Sequence, residues 1–177
     1  MNSSAFSSLF FALSLILISH VPFPTSGANL IESVCNDAME DQVACLQLLQ
    51  SEPRFATAKN YVHLSKMILE MGVKKGEKVQ NELKEMMMKN PSPAITQCAT
   101  TLYDGVVGSF KSSLGEMKED GLTANYDAKV AGDGPATCDR ALAAANIVNP
   151  TISALNKEIL LISKIAFLAT NELPESP

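Results

Sequence analysis

The chain has 177 residues, 46% of them hydrophobic, no tryptophan, and a formal net charge of −5. An acidic surface excludes charge-driven retention on nucleic acid or polyanionic polysaccharide. The scarcity of aromatics (6%) leaves no stacking platform for sugars or bases.

Residues 1–28 carry no Lys, Arg, Asp or Glu, and Leu9–Ile18 is an apolar run broken only by Ser14. Such a run is half the ~20 residues needed to span a bilayer. Pro22 and Pro24 follow it, then Ser26 and Ala28, small residues at the spacing a signal peptidase requires. The expectation is an exported protein starting near Asn29, with no membrane attachment in its mature form. About 149 residues remain, enough for one domain with a real core. Four cysteines in an exported chain read as two disulfides, and three connectivities are open. Zinc is disfavoured: Cys35 and Cys45 are too far apart for a CxxC knuckle, and His63 is the only mature histidine.

Leu30–Leu49 reads as two short helices, with Asp41 able to cap the second and with Cys35 and Cys45 on adjacent arms. So short a hairpin (within residues 29–52) cannot bury itself and needs a docking surface or a staple. Ser51-Glu52-Pro53 then breaks the pattern, and four helical blocks over residues 57–173 follow. The first, Thr57–Lys89, has the seam Tyr61, Ser65, Ile68, Gly72, Gly76, Val79, Leu83, Met86. Its glycines imply either close approach of a neighbouring helix or a kink. Glu70 with Lys74, and Glu85 with Lys89, form favourable pairs on the wet side, where Lys74, Lys75 and Lys78 read as a solvated face. Met86-Met87-Met88 reads as core and edge packing.

Asn90-Pro91-Ser92-Pro93 ends this block, with Ser92 as cap of the next and Pro93 at its first position. That next helix, Ala94–Asp120, carries the stripe Ile95, Cys98, Ala99, Leu102, Val106, Phe110, Leu114, Met117. Its C-terminal Glu116, Glu119 and Asp120 oppose the helix macrodipole. Leu122–Val130 and Thr137–Ala145 form a third block interrupted by Gly132-Asp133-Gly134-Pro135. Asn149-Pro150 caps a last helix with seam Ile152, Leu155, Ile159, Ile162, Ala166, Ala169, Leu173. Leu160, Leu161, Phe167 and Leu168 widen its apolar face, so it is expected to be covered on two sides. The fold class is all-α: an up-down-up-down four-helix bundle preceded by a helical hairpin.

Nothing in the chain marks catalytic chemistry. His63 sits between Val62 and Leu64 in a helix, and no phosphate loop, dinucleotide fingerprint or nucleophile elbow occurs. No enzyme activity, cofactor or metal is expected.

Together the residues resemble the plant invertase and pectin methylesterase inhibitor family. The resemblance rests on Leu30-Ile31-x2-Val34-Cys35 with Cys45-Leu46-x-Leu48-Leu49, and on Cys98-x4-Tyr103-x2-Val106-x3-Phe110. Thr137-Cys138-Asp139 and Ile165-Ala166-x2-Ala169-x-Asn171-x-Leu173 complete it. It covers essentially all of residues 29–177. It implies a four-helix bundle with an extended hairpin and the pairings Cys35–Cys45 and Cys98–Cys138. It also implies a monomer that blocks a carbohydrate-active enzyme by stoichiometric binding in the cell wall, or alternatively the vacuole. Leu49-x-Ser51-x3-Phe55-Ala56-Thr57 leans toward the invertase-inhibitor branch, with acid invertase (beta-fructofuranosidase) as partner and pectin methylesterase as the alternative. That branch often carries Pro-Lys-Phe shortly before the fourth cysteine; the matching region here reads Gly121-Leu122-Thr123-Ala124. From position at a helix end, the expected contact residues are Glu119, Asp120, Leu122, Thr123, Asn125 and Tyr126. A helical ligand- or receptor-binding module without inhibitory activity is the competing reading, and a sizeable cavity inside the bundle would favour it.

Overall fold

The computed structural model describes residues 26–174, so most of the expected signal segment lies outside the described residues. Ser26–Ala28 form the first turn of a helix, α1 (Ser26–Asp37). A 3-10 turn over Met39–Asp41 reverses the chain into α2 (Gln42–Gln50). These are the two arms of the expected hairpin, and Cys35–Cys45 joins them with their Cα atoms 5.4 Å apart. Asp41 does not cap α2 with its side chain. Its carboxylate instead accepts a 2.7 Å hydrogen bond from Lys164 Nζ, which also pairs with Glu40 at 3.4 Å.

After a second 3-10 turn, Pro53–Thr57, whose Phe55 is fully buried, the bundle begins with α3 (Tyr61–Lys89). Asn60 caps it, its Oδ1 accepting from the His63 amide at 2.8 Å. The second rod is continuous but not uniform: α4 (Pro93–Gln97), a π-helical turn over Cys98–Leu102, and α5 (Tyr103–Glu116). The third rod is α6 (Gly121–Val130) and α7 (Asp133–Ala144), and the fourth is α8 (Pro150–Asn171). Ser92 and Asn149 cap as their sequence context predicts, accepting from Ile95 and Ile152 amides, both at 3.1 Å. Helix α3 packs against α5 and α8, and α6 packs against the same two, so α3 and α6 stand diagonally across a square. No strand occurs among the described residues.

Why the rods pack this way is visible at single residues. Along the α3 seam, Ser65, Ile68, Gly72, Gly76, Val79 and Leu83 are all buried. A Cβ on Gly72 would lie 2.8 Å from the Phe110 ring, and one on Gly76 3.3 Å from Val107. The glycines therefore serve close approach of α5, the first of the two sequence-level readings.

On the second rod Ala94, Ile95, Cys98, Ala99, Tyr103, Val106, Val107, Phe110 and Ser113 are buried, as is Met117 just past its end. Tyr103 and Ser113 are fully buried, while the expected Leu102 and Leu114 are half-buried against the edge of the core. The π turn inserts one residue into the helical repeat, which moves Tyr103 inward. Its hydroxyl donates to Asn156 Oδ1 at 2.7 Å, and the Asn156 amide donates to Asp139 Oδ1 at 2.7 Å. Burial, reinforced by the Asp139 charge, raises the Tyr103 pKa far above its usual value. This chain of polar groups ties α5, α8 and α7 together beside Cys98–Cys138, whose Cα atoms are 5.1 Å apart.

The Gly132–Pro135 stretch is not an open break. Helix α7 starts at Asp133 and contains Gly134, whose added Cβ would meet Val106 at 2.4 Å and the Leu102 carbonyl oxygen at 2.8 Å. The glycine lets the start of α7 lie backbone-to-backbone on the π turn. Asn146, with φ 55°, closes the other end of α7 in the left-handed conformation, and the Ile147 amide donates to Leu142 O at 2.9 Å.

Candidate functional site

The corner between α5 and α6 holds five of the six expected contact residues on or beside the first turns of α6. Helix α5 ends at Glu116, three residues earlier than needed to include Glu119, and Asp120 belongs to the following helix. As its cap, Asp120 Oδ1 accepts from the Thr123 amide at 3.0 Å and Oδ2 from the Thr123 hydroxyl at 2.6 Å. These two hydrogen bonds, the hydroxyl's first, hold its carboxyl below the ordinary value of 3.8. The carboxylate thus sits at the positive end of a dipole, where it is favoured, and not at the negative end as the sequence reading placed it.

The six residues divide by direction. Leu122 (83% exposed) and Tyr126 (65%) stand one turn apart on the outer face of α6, with Glu119 exposed beside them. Asp120 and Thr123 are exposed but engaged with each other. Asn125 turns inward, its amide donating to Phe167 O at 2.7 Å and Thr170 Oγ1 at 3.1 Å. The platform beneath them is rigid: Ser113 donates to Ala124 O at 2.6 Å, and Ser163 to Ala128 O at 2.7 Å. Both hydroxyls are buried, so α6 is bolted to its two neighbours by its own backbone carbonyls. Periodicity gave no signal for either serine.

Other candidate surfaces are more heavily paired than the sequence implies. Glu70 meets Lys66 at 3.8 Å and Arg54 at 3.6 Å, in place of Lys74. Lys75 binds Glu158 on α8, and Lys78 pairs with Glu82. Pro53-Arg54-Phe55, a tripeptide of similar chemistry to Pro-Lys-Phe, has its phenyl ring buried under Arg54, whose guanidinium lies 5.0 Å from the ring centre. That ring cannot enter a partner. Among the described residues no group of three or more His, Cys, Asp or Glu is placed to hold a metal.

An open space of about 1000 Å³ is a surface groove and not a cavity within the bundle. Its apolar lining includes Leu160, Leu161 and Phe167 of α8, Leu48 of α2 and Ala136 of α7. The bundle interior itself is filled: Ile159, Ile162, Leu64, Ile68, Leu83 and Phe110 have no exposed surface.

Residues 29–168 match the family model described as plant invertase/pectin methylesterase inhibitor. The chain belongs to that family. Its members are proteinaceous inhibitors rather than enzymes, typically in the plant cell wall. The fold is similar to that of a mutant form of a pectin methylesterase inhibitor from Arabidopsis, with a TM-score of 0.73 at 20% identity. That match covers 82% of this chain and 98% of the other. A second pectin methylesterase inhibitor, from Arabidopsis thaliana, has a TM-score of 0.62 at 19% identity, covering 84% and 99%. No curated protein matches the sequence. The expected pairings are the ones present: Cys35–Cys45 and Cys98–Cys138, with no free cysteine among the described residues.

Proposed function

We propose that this family member is an exported inhibitor that occludes the active site of an acid invertase, with pectin methylesterase as the alternative target. The observation carrying the reading is the family match over residues 29–168, on a chain whose two cross-links and packed core give a preformed surface. A rigid surface loses little conformational freedom on docking, so its contacts convert more fully into affinity. The segment after the hairpin, Ser51–Thr57, supports the invertase branch by resemblance. The charge-free, apolar start of the chain supports export to the cell wall.

The contact face of this reading is Leu122 and Tyr126, flanked by Glu119 and the Asp120–Thr123 cap. Two exposed apolar side chains one turn apart are the kind of anchor an interface centre uses, and tyrosine is enriched there. Asn125 positions this face through α8 without reaching a partner.

The test is to mix the oxidised mature chain with purified acid invertase and, separately, with pectin methylesterase at acidic pH. Loss of invertase activity near equimolar ratio is the expected result. Loss of pectin methylesterase activity alone would move the chain to the other branch, and loss of neither would reject inhibition of both.

A further inference from the structure

We propose that the tip of the cross-linked hairpin, Met39 and Val43 with Asp37 and Glu40 beside them in the chain, docks on a basic, apolar-centred segment of a partner protein. This surface is separate from the Leu122–Tyr126 face and does not depend on the inhibitory reading.

Charge is divided unequally along the chain. Residues 1–53 hold five carboxylates (Glu32, Asp37, Glu40, Asp41 and Glu52) and no Lys or Arg. Residues 54–177 hold 14 acids and 14 bases, so the whole net charge of −5 belongs to the hairpin. Neighbouring cations do not cancel it. Glu52 is paired with Arg54, and Asp41 with Lys164. The three lysines lining the groove beside α2 (Lys129, Lys157 and Lys164) are matched there by Asp41, Asp133 and Glu158. Glu32, Asp37 and Glu40 remain in excess, and Glu40 only shares Lys164, at 3.4 Å. Counting Lys75, which reaches Glu158, still leaves the balance negative. Asp37 also closes α1, whose last turn carries no base to offset the negative end of the helix. An approaching cation relieves that placement.

Two apolar side chains, interleaved with these carboxylates in the chain, are left in water. Met39 is 77% exposed and Val43 65%, and neither joins the core. The Cys35–Cys45 bond closes the loop that carries both. Ala38 is buried under the turn, and the Gln42 side-chain amide donates to Asn36 Oδ1 across it at 2.5 Å. The tip is thus preformed, and docking orders little that is not already ordered. Met39 has φ 53°, a conformation that glycine takes freely and a side chain resists. The turn nonetheless carries a long thioether, which adapts to the shape of a partner's pocket. Burying Met39 and Val43 supplies the non-directional attraction, and the carboxylates orient the encounter with a cationic rim. The same charge excludes nucleic acid and anionic lipid surfaces as occupants.

Titration of the oxidised mature chain into a fluorescent synthetic amphipathic helix of leucine and lysine tests the proposal. Saturable binding is expected, weakening with added salt, and weaker still for the same peptide with glutamine in place of lysine. Met39→Gly/Val43→Ser is expected to loosen binding by about tenfold. Glycine fits φ 53° and Val43 is exposed, so this variant keeps the fold, which urea unfolding verifies. Asp37→Asn/Glu40→Gln is expected to loosen binding by roughly three- to tenfold. Binding that does not saturate, equal affinity for the glutamine peptide, or indifference to either double variant would overturn the proposal. So would an equal loss in Leu122→Ala/Tyr126→Ala, since the peptide would then lie on α6.

Discussion

The hairpin and the bundle use the same covalent device for different purposes. Cys35–Cys45 closes 10 positions in a segment whose two short helices have little interior of their own. Cys98–Cys138 closes 40 positions across a centre that is already filled and already linked by Tyr103, Asn156 and Asp139. The hairpin's remaining attachment is a buried apolar edge (Ile31, Val34, Ala38, Leu49) plus the half-exposed Lys164 pairs. The bundle's attachment is shape: glycines that admit Phe110 and Val106, and serines that hold neighbouring carbonyls. In the first region the cross-link creates structure, and in the second it secures structure that packing has made.

The largest expected effect separates these roles. Replacing Cys98 and Cys138 by alanine should cost roughly 4 kcal/mol in the chain-entropy treatment, seen as a lower midpoint of global urea unfolding. Replacing Cys35 and Cys45 removes roughly 3 kcal/mol in the same treatment. Here the loss should appear as rapid hydrogen exchange in α1 and α2 while α3, α5 and α8 stay protected. Equal loss of protection in both regions would erase the distinction.

Next comes Gly72→Ala. Overpacking against Phe110 costs about 1–3 kcal/mol, offset by about 1 kcal/mol of helix propensity, so a net loss of stability is expected on chemical denaturation. A gain would mean that α3 and α5 separate at little cost. The sign reverses at Ser65, whose buried hydroxyl has no hydrogen-bond partner among the described residues. Ser65→Ala should stabilise the chain by up to about 1 kcal/mol, because an unsatisfied buried polar group is removed.

The smallest effect is pH dependence at the hairpin. Backbone hydrogen bonding, then Lys164, lowers the Glu40 carboxyl below 4.5, and Asp41 chiefly raises Lys164 above 10.5. The depressed carboxyl contributes stability above its unfolded value and loses it as pH falls through the folded one. The raised ammonium contributes below its unfolded value and loses it as pH rises through the folded one. Docking should therefore hold from mildly acidic to alkaline pH. Protection in α2 should fall at both extremes, modestly, because these side chains are hydrated and salt screens them.

How much the sequence disclosed follows the same division. The seams of α3 and α8, and the caps Ser92 and Asn149, were legible because periodicity and capping are local. The π turn was not: Leu102 and Tyr103 are both apolar enough to face inward, and only contact with α7 decides between them. Gly132–Pro135 reads as punctuation, yet Gly134 serves a close helix crossing that no local rule encodes. Asp120 reads from the sequence as the end of the helix before it, since a carboxylate can end one helix or begin another. Of the expected contact residues, Leu122 and Tyr126 face solvent as a contact requires, whereas the inward turn of Asn125 depends on α8, forty-two positions away. The groove was invisible because it exists only once the hairpin has docked.

The most direct test of the account is a titration of acid invertase activity with the wild-type chain and with Leu122→Ala/Tyr126→Ala. Both side chains are largely in solvent, so the double variant should keep wild-type unfolding behaviour. Near-stoichiometric inhibition by the wild type and clearly weaker inhibition by the variant are expected. Identical titration curves for the two chains would contradict it.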